Sequence, residues 1–257
     1  MTTTQSIDVR PDLTLGVSEA GSGTAALILH GGGGPATVEA IAAHLAATHR
    51  ALTPTHPGWN GSPRPAWLTR IEDLTGPYLS LLDELELADV TVVGSSLGGW
   101  IALEMAVEDG GERIGRLVLI DSVGVAIPGQ PIRDFFALDA RGVAEYSYHD
   151  GDRFYVDPST IPAEQLAVRQ ANMATMRVLA GHPYMHDPTM LGRLGALAIP
   201  TLVLWGESDR IVTADYGRAL AAAIPKARFE PIRRAGHLPQ IEQPEATFRA
   251  IDDFLGA

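Results

Sequence analysis

A serine placed between two glycines at the end of an apolar strand constrains this chain more than any other feature. The strand Val90 to Val93 runs into Gly94-Ser95-Ser96-Leu97-Gly98, and residues compatible with a helix follow up to Ala106. A serine at such a strand-to-helix turn presents its hydroxyl clear of the sheet, at the positive end of a helix. The flanking glycines allow the sharp backbone path. The register of the motif therefore predicts that Ser96 is a nucleophile.

A carboxylate and an imidazole follow further along the chain, each after a strand. Asp209 comes just after the apolar run Thr201 to Trp205, and His237 follows the short strand Ala227 to Pro231. A serine hydroxyl is a poor nucleophile at neutral pH, so it needs an imidazole to accept its proton and a carboxylate to orient that imidazole. The sequence thus predicts a triad in the chain order Ser96, Asp209, His237.

A run of four glycines, residues 31–34, follows the apolar strand Ala25 to Leu29 and His30. Such a loop can turn a backbone N–H toward an oxyanion as it develops. We expect the N–H groups of Gly32 and Leu97 to form the oxyanion hole, with Gly33 as an alternative to Gly32. Phosphate binding is disfavoured, because the loop lacks both the Gly-Lys-Ser/Thr ending of a P-loop and the dinucleotide-binding spacing.

With these motifs, the chain resembles the α/β-hydrolase superfamily over essentially its whole length. The resemblance implies that Asp209 supplies the acid of the triad, and it offers Asp121, just after the strand that ends at Ile120, as an alternative acid. The matching segments are His30-Gly31-Gly32, Pro57-Gly58, Gly94 to Gly99, Gly206 to Val212, and Gly236-His237 with Glu242, Pro244 and Glu245 behind it.

Two residues depart from the usual pattern of the superfamily. Asn60 stands after Trp59 where a glycine is common, and asparagine is the next-best residue for left-handed backbone, so we expect the fold to survive. Relatives that cleave carbon–carbon bonds of ring-opened aromatics often carry a tryptophan after the catalytic histidine. This chain has Leu238 there, which weighs against that subgroup.

Composition restricts the partners and the compartment. The 257 residues carry a formal net charge of −12, which argues against nucleic acid and anionic membranes as partners. The absence of cysteine excludes a disulfide framework and a thiol nucleophile. The first eleven residues lack the apolar core of a signal peptide, and no apolar run reaches the roughly eighteen residues of a membrane span. We therefore expect a cytoplasmic protein; its oligomeric state is left open, with a homodimer among the options.

Strands and helices alternate regularly along most of the chain, which predicts an α/β fold: a mostly parallel, doubly wound sheet with helices on both faces. Residues 1–124 and 197–257 are the predicted α/β-hydrolase core. Residues 125–196 break the alternation and are the predicted helical cap. This segment holds four of the six methionines and seven of the twelve Phe and Tyr residues, which predicts apolar walls over the serine and an apolar substrate.

These observations predict a serine hydrolase that cleaves a small, apolar carboxylic ester or lactone through an acyl-enzyme, without a cofactor. Two alternatives use the same residues. One is hydrolysis of a carbon–carbon bond in a vinylogous diketone, and the other is a ligand receptor that has kept the serine machinery. We expect no metal site, because Pro183 separates His182 from His186 and no third ligand has motif spacing.

Overall fold

An eight-stranded, mostly parallel sheet forms the centre of the computed structural model, which describes residues 2–256. The strands are β1 (Thr3–Arg10), β2 (Leu13–Ala20), β3 (Ala25–Leu29), β4 (Arg50–Pro54), β5 (Val90–Ser95), β6 (Ile114–Ile120), β7 (Gly124–Val125), β8 (His186–Asp187), β9 (Thr201–Gly206) and β10 (Ala227–Ile232). The order across the sheet is β1-β2-β4-β3-β5-β6-β9-β10, while β7 and β8 pair separately. The strands from β4 to β10 in this order run parallel, so their carboxyl ends meet at one edge.

Helices cover both faces of the sheet. They are α1 (Glu39–Leu45), α2 (Thr75–Glu84), α3 (Leu97–Asp109), α4 (Ala140–Ser147), α5 (Gly151–Phe154), α6 (Ala163–Ala180), α7 (Met190–Arg193), α8 (Ala214–Ala223), α9 (Pro239–Glu242) and α10 (Pro244–Leu255). Short 3₁₀ turns occupy Pro35–Val38, Ile71–Leu74, Phe135–Ala137, Pro158–Thr160 and Leu194–Ala196. No helix within residues 2–256 combines the length and the apolarity needed to cross a membrane.

Successive residues of the buried strands point to opposite faces, which builds two apolar layers. Val92 and Leu117 belong to the layer that α2, α3 and α8 complete, whereas Val93 and Val118 belong to the layer under α1 and α10. This arrangement confirms the doubly wound fold that the alternation of strands and helices predicts.

The antiparallel edge of the sheet contains one strand that the sequence analysis does not predict. β1 pairs with β2, which in turn pairs antiparallel with β4. β1 consists mostly of polar residues, and Val9 is its one buried residue, so the apolar pattern of this segment is weak. The strand is held by its pairing with β2 and by contact with α2.

Helices α4 to α7 lie between β6 and β9 and cover the carboxyl edge of the sheet. Within the described residues, this insertion adds no strand to the eight-stranded sheet; β7 and β8 form a small ladder of their own. The insertion agrees with the helical cap of the predicted fold, and the domain boundaries 1–124, 125–196 and 197–257 stay a prediction.

Candidate active site

Ser96 lies at a sharp turn between β5 and α3. Its backbone has φ 55° and ψ −115°, a strained conformation for a residue other than glycine. Close packing around the turn excludes side chains: a Cβ on Gly98 would lie 2.1 Å from the carbonyl oxygen of Leu29, and one on Gly94 would lie 2.3 Å from that of Gly98. The two glycines therefore let α3 pack directly on β3 and hold Ser96 above the sheet.

The side chains of Ser96, His237 and Asp209 form one continuous chain of hydrogen bonds. Nε2 of His237 lies 2.8 Å from Ser96 Oγ, and Nδ1 lies 2.7 Å from Asp209 Oδ2. An ionised Asp209 requires the proton of the imidazole to sit on Nδ1, which leaves Nε2 free to accept the serine proton. The structure thus brings together the three residues that the sequence analysis singles out, in a geometry that can activate the serine hydroxyl.

Asp209 is held by the backbone of its own loop. Its Oδ1 accepts the N–H groups of Ile211 at 2.8 Å and Val212 at 3.0 Å, and only 3% of the residue is exposed. These two donors satisfy one carboxylate oxygen and leave the other directed to His237. Hydrogen bonds to the ionised form favour a carboxylate over a carboxylic acid.

The loop that carries His237 is anchored to the cap by residues that the sequence analysis does not single out for this role. The backbone N–H of His237 donates to the carbonyl of Ser147, at the end of α4, over 2.6 Å. The carboxylate of Glu242 accepts the N–H of Gly236 at 2.5 Å and that of His149 at 2.9 Å. Since the Ser147 contact uses only a main-chain carbonyl, no side-chain pattern could have revealed it.

The glycine loop after β3 approaches the nucleophile. A Cβ on Gly31 would lie 3.7 Å from Ser96 Oγ, and the carbonyl of Gly31 accepts from His30 Nδ1 at 2.7 Å. Because the C=O and N–H of a trans peptide point in opposite directions, this bond turns the N–H of Gly32 away from His30. Leu97, as the first residue of α3, has no acceptor for its N–H inside the helix. The N–H of Gly32 belongs to the peptide whose carbonyl His30 binds, whereas the N–H of Gly33 does not.

Two histidines, His30 and His56, pack beside the glycine loop, with ring centroids 3.7 Å apart and ring planes tilted by 32°. The backbone N–H of His56 donates to His30 Nε2 at 3.1 Å, so His30 carries its proton on Nδ1 and donates to Gly31. His56 donates from Nε2 to the carbonyl of His30 at 2.8 Å and accepts from the hydroxyl of Tyr78. Burial lowers the pKa of His30 well below its usual range and that of His56 to about 4. Both rings are therefore neutral near pH 7.

The cap touches the glycine loop through α6. Met176 packs against Gly32, where a Cβ would lie 2.3 Å from its sulfur. Asn172 accepts the backbone N–H of Asn60 at 2.9 Å and donates to the Asn60 side chain at 3.0 Å. Asn60 has φ 50°, in the left-handed region that the sequence analysis expects of it. Spacings of three and four residues place Arg169, Asn172 and Met176 on one face of α6.

The alternative acid, Asp121, is buried close to the triad, but His237 bonds to Asp209 instead. Within residues 2–256, two groups of at least three potential metal-ligand side chains converge: Asp121 with Asp209 and His237, and Glu72 with Glu104 and Asp187. His182 and His186 belong to neither group. In the first group, two members are already joined by the hydrogen bonds of the triad.

Comparison with known proteins gives the same fold and a set of relatives. Residues 26–250 match the Alpha/beta hydrolase family. The 2-hydroxy-6-oxononadienedioate/2-hydroxy-6-oxononatrienedioate hydrolase of Cupriavidus pinatubonensis is 32% identical over 261 aligned positions, covering 93% of this chain and 89% of the relative. The 2-hydroxy-6-oxo-6-phenylhexa-2,4-dienoate hydrolase of Burkholderia cepacia is 30% identical, with 93% and 90% covered.

A solved structure shows the likeness in three dimensions. A serine hydrolase from the polyaromatic hydrocarbon-degrading bacterium Cycloclasticus zankles superposes with a TM-score of 0.82 at 18% sequence identity. The superposition covers all of this chain (100%) and 98% of the other. The likeness extends over the sheet and the cap insertion together.

Proposed function

The chain belongs to the α/β-hydrolase family, and from this premise we propose that Ser96, His237 and Asp209 are its catalytic triad. The observation that carries the proposal is the unbroken hydrogen-bond chain from Ser96 Oγ through His237 to Asp209. The N–H groups of Gly32 and Leu97 are the proposed oxyanion hole. Loss of one such donor costs about two to three orders of magnitude in turnover in enzymes of this type.

The proposed reaction is hydrolysis of a carbon–carbon bond in a conjugated 2-hydroxy-6-oxo-dienoate. Its support is the names of the curated relatives, which are hydrolases of such compounds and align with almost the whole chain. The triad and oxyanion hole suit this reaction, because a ketone carbon is attacked as an ester carbon is. The family and the relatives support hydrolase activity, and the dienoate substrate is our proposal.

The steps of this reaction balance with one water molecule. After ketonisation of the dienol, His237 accepts the proton of Ser96 while Oγ attacks the C6 ketone, and the oxyanion hole binds the resulting alkoxide. The C5–C6 bond then breaks, and its electron pair moves through the conjugated system to the C2 oxygen, and the resulting enolate takes its proton from His237, which is neutral again. Water, deprotonated by His237, cleaves the acyl-serine and releases the carboxylic acid.

A dienoate substrate carries a carboxylate, and Arg169 on the cap helix α6 is the proposed cation that receives it. Burial, and after it the charge of Glu242, raises the pKa of the Tyr148 hydroxyl, and the charge of the exposed Arg169 acts in the opposite direction, so this guanidinium lies on the same side of the cap as Tyr148. Tyr148 directly follows Ser147, whose carbonyl binds the backbone of His237. Arg169 also shares a helix face with Met176, which packs on the glycine loop.

Hydrolysis of a small carboxylic ester or lactone is the second candidate, and Leu238 is the observation that favours it. This half-buried side chain follows His237 directly and presents only aliphatic surface there. Ester cleavage needs no electron sink in the substrate, so it makes fewer demands on the pocket than carbon–carbon cleavage does.

Parallel kinetics on two substrates decide between the candidates. The protein is assayed with 2-hydroxy-6-oxo-6-phenylhexa-2,4-dienoate, by loss of the conjugated chromophore and release of benzoate, and with p-nitrophenyl acetate and butyrate. A kcat/KM for the dienoate at least about a hundredfold above that for the esters, lost in Ser96→Ala, supports carbon–carbon hydrolysis. The reverse preference would support the esterase. Binding of the dienoate without turnover of any substrate would indicate a receptor.

Arg169 is tested by its effect on KM for the dienoate. Arg169→Gln is expected to raise this KM about tenfold or more, while leaving KM for the uncharged p-nitrophenyl acetate within a factor of two. Arg177→Gln removes the same charge from the same helix, at a side chain that lies over Phe136, and serves as the matched control. An equal rise in both variants would show that the helix charge, and not Arg169, attracts the substrate.

A further inference from the structure

Asp121 is a buried carboxyl group that the proposed chemistry does not use. It follows β6 immediately, is 0% exposed, and has φ 45°, a left-handed conformation that aspartate and asparagine tolerate best after glycine. One of its oxygens, Oδ1, accepts the backbone N–H of Gly206 at 3.0 Å. Because Gly206 ends β9 and opens the loop of Asp209, Asp121 lies directly under the acid of the triad.

The second oxygen of Asp121 has no hydrogen-bond partner, although it is buried. Ligand atoms of Asp121, Asp209 and His237 lie within 4.8 Å of one another, so the two carboxyl groups are close neighbours. Asp209 has three donors, from Ile211, Val212 and His237, which is enough to hold it as an anion. Asp121 has one. Two adjacent buried carboxylates would repel each other, and the second oxygen of Asp121 would be buried without a hydrogen bond, so a state with both groups ionised would be strongly unfavourable.

A proton on Asp121 removes both the repulsion between two buried anions and the missing hydrogen bond of its second oxygen. We propose that Asp121 is a positioning residue of the triad: it is a neutral carboxylic acid whose Oδ2–H donates a hydrogen bond to the carboxylate of Asp209. The bond holds the Asp209 carboxylate in the orientation that meets His237 Nδ1, and it adds no charge to the site. This inference rests on the proposed function, because the triad is what Asp121 would position.

The electrostatic surroundings agree with a neutral Asp121. Burial, and after it the charge of Asp209, raises the pKa of Asp121 well above its usual range. The Gly206 N–H acts against this rise in pKa, and Glu242, on the element after His237, adds a smaller contribution in its favour. Of the titratable groups around Asp121, namely Asp209, Glu242 and His237, both carboxylates therefore disfavour a second anion.

Substitution by asparagine separates a hydrogen-bond donor from a charge. In Asp121→Asn, the amide oxygen can accept from Gly206 and the NH₂ group can donate to Asp209, so kcat/KM for p-nitrophenyl acetate should stay within about twofold of wild type. Asp121→Ala removes the donor, and kcat, measured at a temperature at which the variant is folded, should fall about tenfold to one hundredfold. Ser122→Ala, which deletes the neighbouring buried hydroxyl, is the control and should leave kcat within about twofold.

The pH profile gives a readout that a purely structural role would not move. If Asp121 is neutral, the acid limb of the kcat/KM profile keeps its position in Asp121→Asn. If Asp121 were an anion, the same change would remove a negative charge beside the imidazole and shift that limb to lower pH. A downward shift would overturn the proposal, and so would full kcat in Asp121→Ala.

Infrared difference spectroscopy tests the proton without any turnover. Wild type minus Asp121→Asn at pH 7 should contain the carbonyl stretch of a protonated carboxyl group; a carboxylate band alone would overturn the proposal. This result does not depend on activity. Wild-type protein that shows the acid band but no Ser96-dependent hydrolysis of the dienoate or the p-nitrophenyl esters would therefore retain the protonated Asp121 and reject the proposed function, whereas active protein without the band would do the reverse.

Discussion

Ser96 and Asp209 lie on backbone that the central sheet holds on several sides, whereas the cap reaches the same site through a few side chains and through backbone carbonyls at the end of α4. Gly98 lets α3 pack directly against β3, because a side chain there would meet the backbone of Leu29. Two N–H groups of its own loop hold Asp209 in place. On the cap side, the contacts come from Met176 and Asn172 of α6 and from carbonyls of α4, among them that of Ser147. We therefore propose that rigid backbone serves the chemistry and that the cap, which can change residue by residue, selects the substrate.

The largest contrast between the two regions is expected at glycines. Gly98→Ala places a Cβ 2.1 Å from the backbone of Leu29, so α3 and β3 must separate; we expect a loss of about 3 kcal/mol in the free energy of unfolding and loss of activity. Gly192→Ala, in the cap helix α7, meets nothing within 4 Å and should change stability by less than about 1 kcal/mol. Urea unfolding of both variants measures the contrast. Equal stabilities would contradict it.

The buried histidines His30 and His56 make the core sensitive to acid. His56 has its pKa lowered to about 4, and that of His30 is also lowered, so the unfolded chain binds protons that the folded chain refuses. Stability should therefore be complete above about pH 6.5 and fall as the pH drops toward 4, by about 3 kcal/mol for His56 alone.

Urea unfolding at a series of pH values measures this slope. His56→Gln should flatten it, although its stability at neutral pH is lower, while His49→Gln, at the half-buried surface turn after α1, should keep the wild-type slope. A stability that stays level between pH 6.5 and 4.5 would show that the two rings do not contribute in this way.

An ion pair joins the cap to α3, the helix that begins directly after Ser96. Arg193 on α7 lies 2.9 Å from Glu104 of α3 and 3.1 Å from Asp187, and both carboxylates are buried. Arg193→Gln leaves them without a cation and should cost about 2 kcal/mol of stability. Arg218→Gln breaks an exposed pair within α8 and should cost less than about 0.5 kcal/mol, as thermal unfolding can verify. A smaller effect at Arg193 than at Arg218 would mean that the cap is held by other contacts.

The smallest effect is expected at the contact between α6 and the Asn60 turn. Asn172→Ala removes two hydrogen bonds to Asn60 and should lower stability by about 1 kcal/mol, with a larger change in KM than in kcat. Gln170→Ala, at an exposed position of the same helix, is the control. A fall in kcat at constant KM would indicate that Asn172 takes part in the chemistry and does not only hold the cap in place.

The core could be predicted because its signals are local. The serine turn, the loop of Asp209 and the glycine run each follow an apolar strand, and parallel strands bring their carboxyl ends to one edge. β1 could not be predicted, since only Ile7 and Val9 carry an apolar alternation among its mostly exposed residues and its place depends on pairing with β2. Composition indicates the cap, but not its contacts. The bond between Asn60 and Asn172 joins residues 112 positions apart, and that from His237 to Ser147 ends on a backbone carbonyl.

The main reaction expected from the sequence, ester cleavage, now ranks below its alternative. The triad is common to both reactions, so the motifs alone do not separate them. The names of the relatives favour carbon–carbon hydrolysis. Leu238 is the residue that favours ester hydrolysis as the second candidate.

The central claim is that His237 and Asp209 make Ser96 a nucleophile, and covalent labelling tests it most directly. A p-nitrophenyl alkylphosphonate is added to the protein, and peptide mass spectrometry locates the adduct. We predict one phosphonyl group per chain, on Ser96, with release of one equivalent of p-nitrophenolate and almost no labelling in His237→Ala. An adduct on Ser95 or elsewhere, or labelling of Ser96 that is equally fast without His237, would contradict the claim.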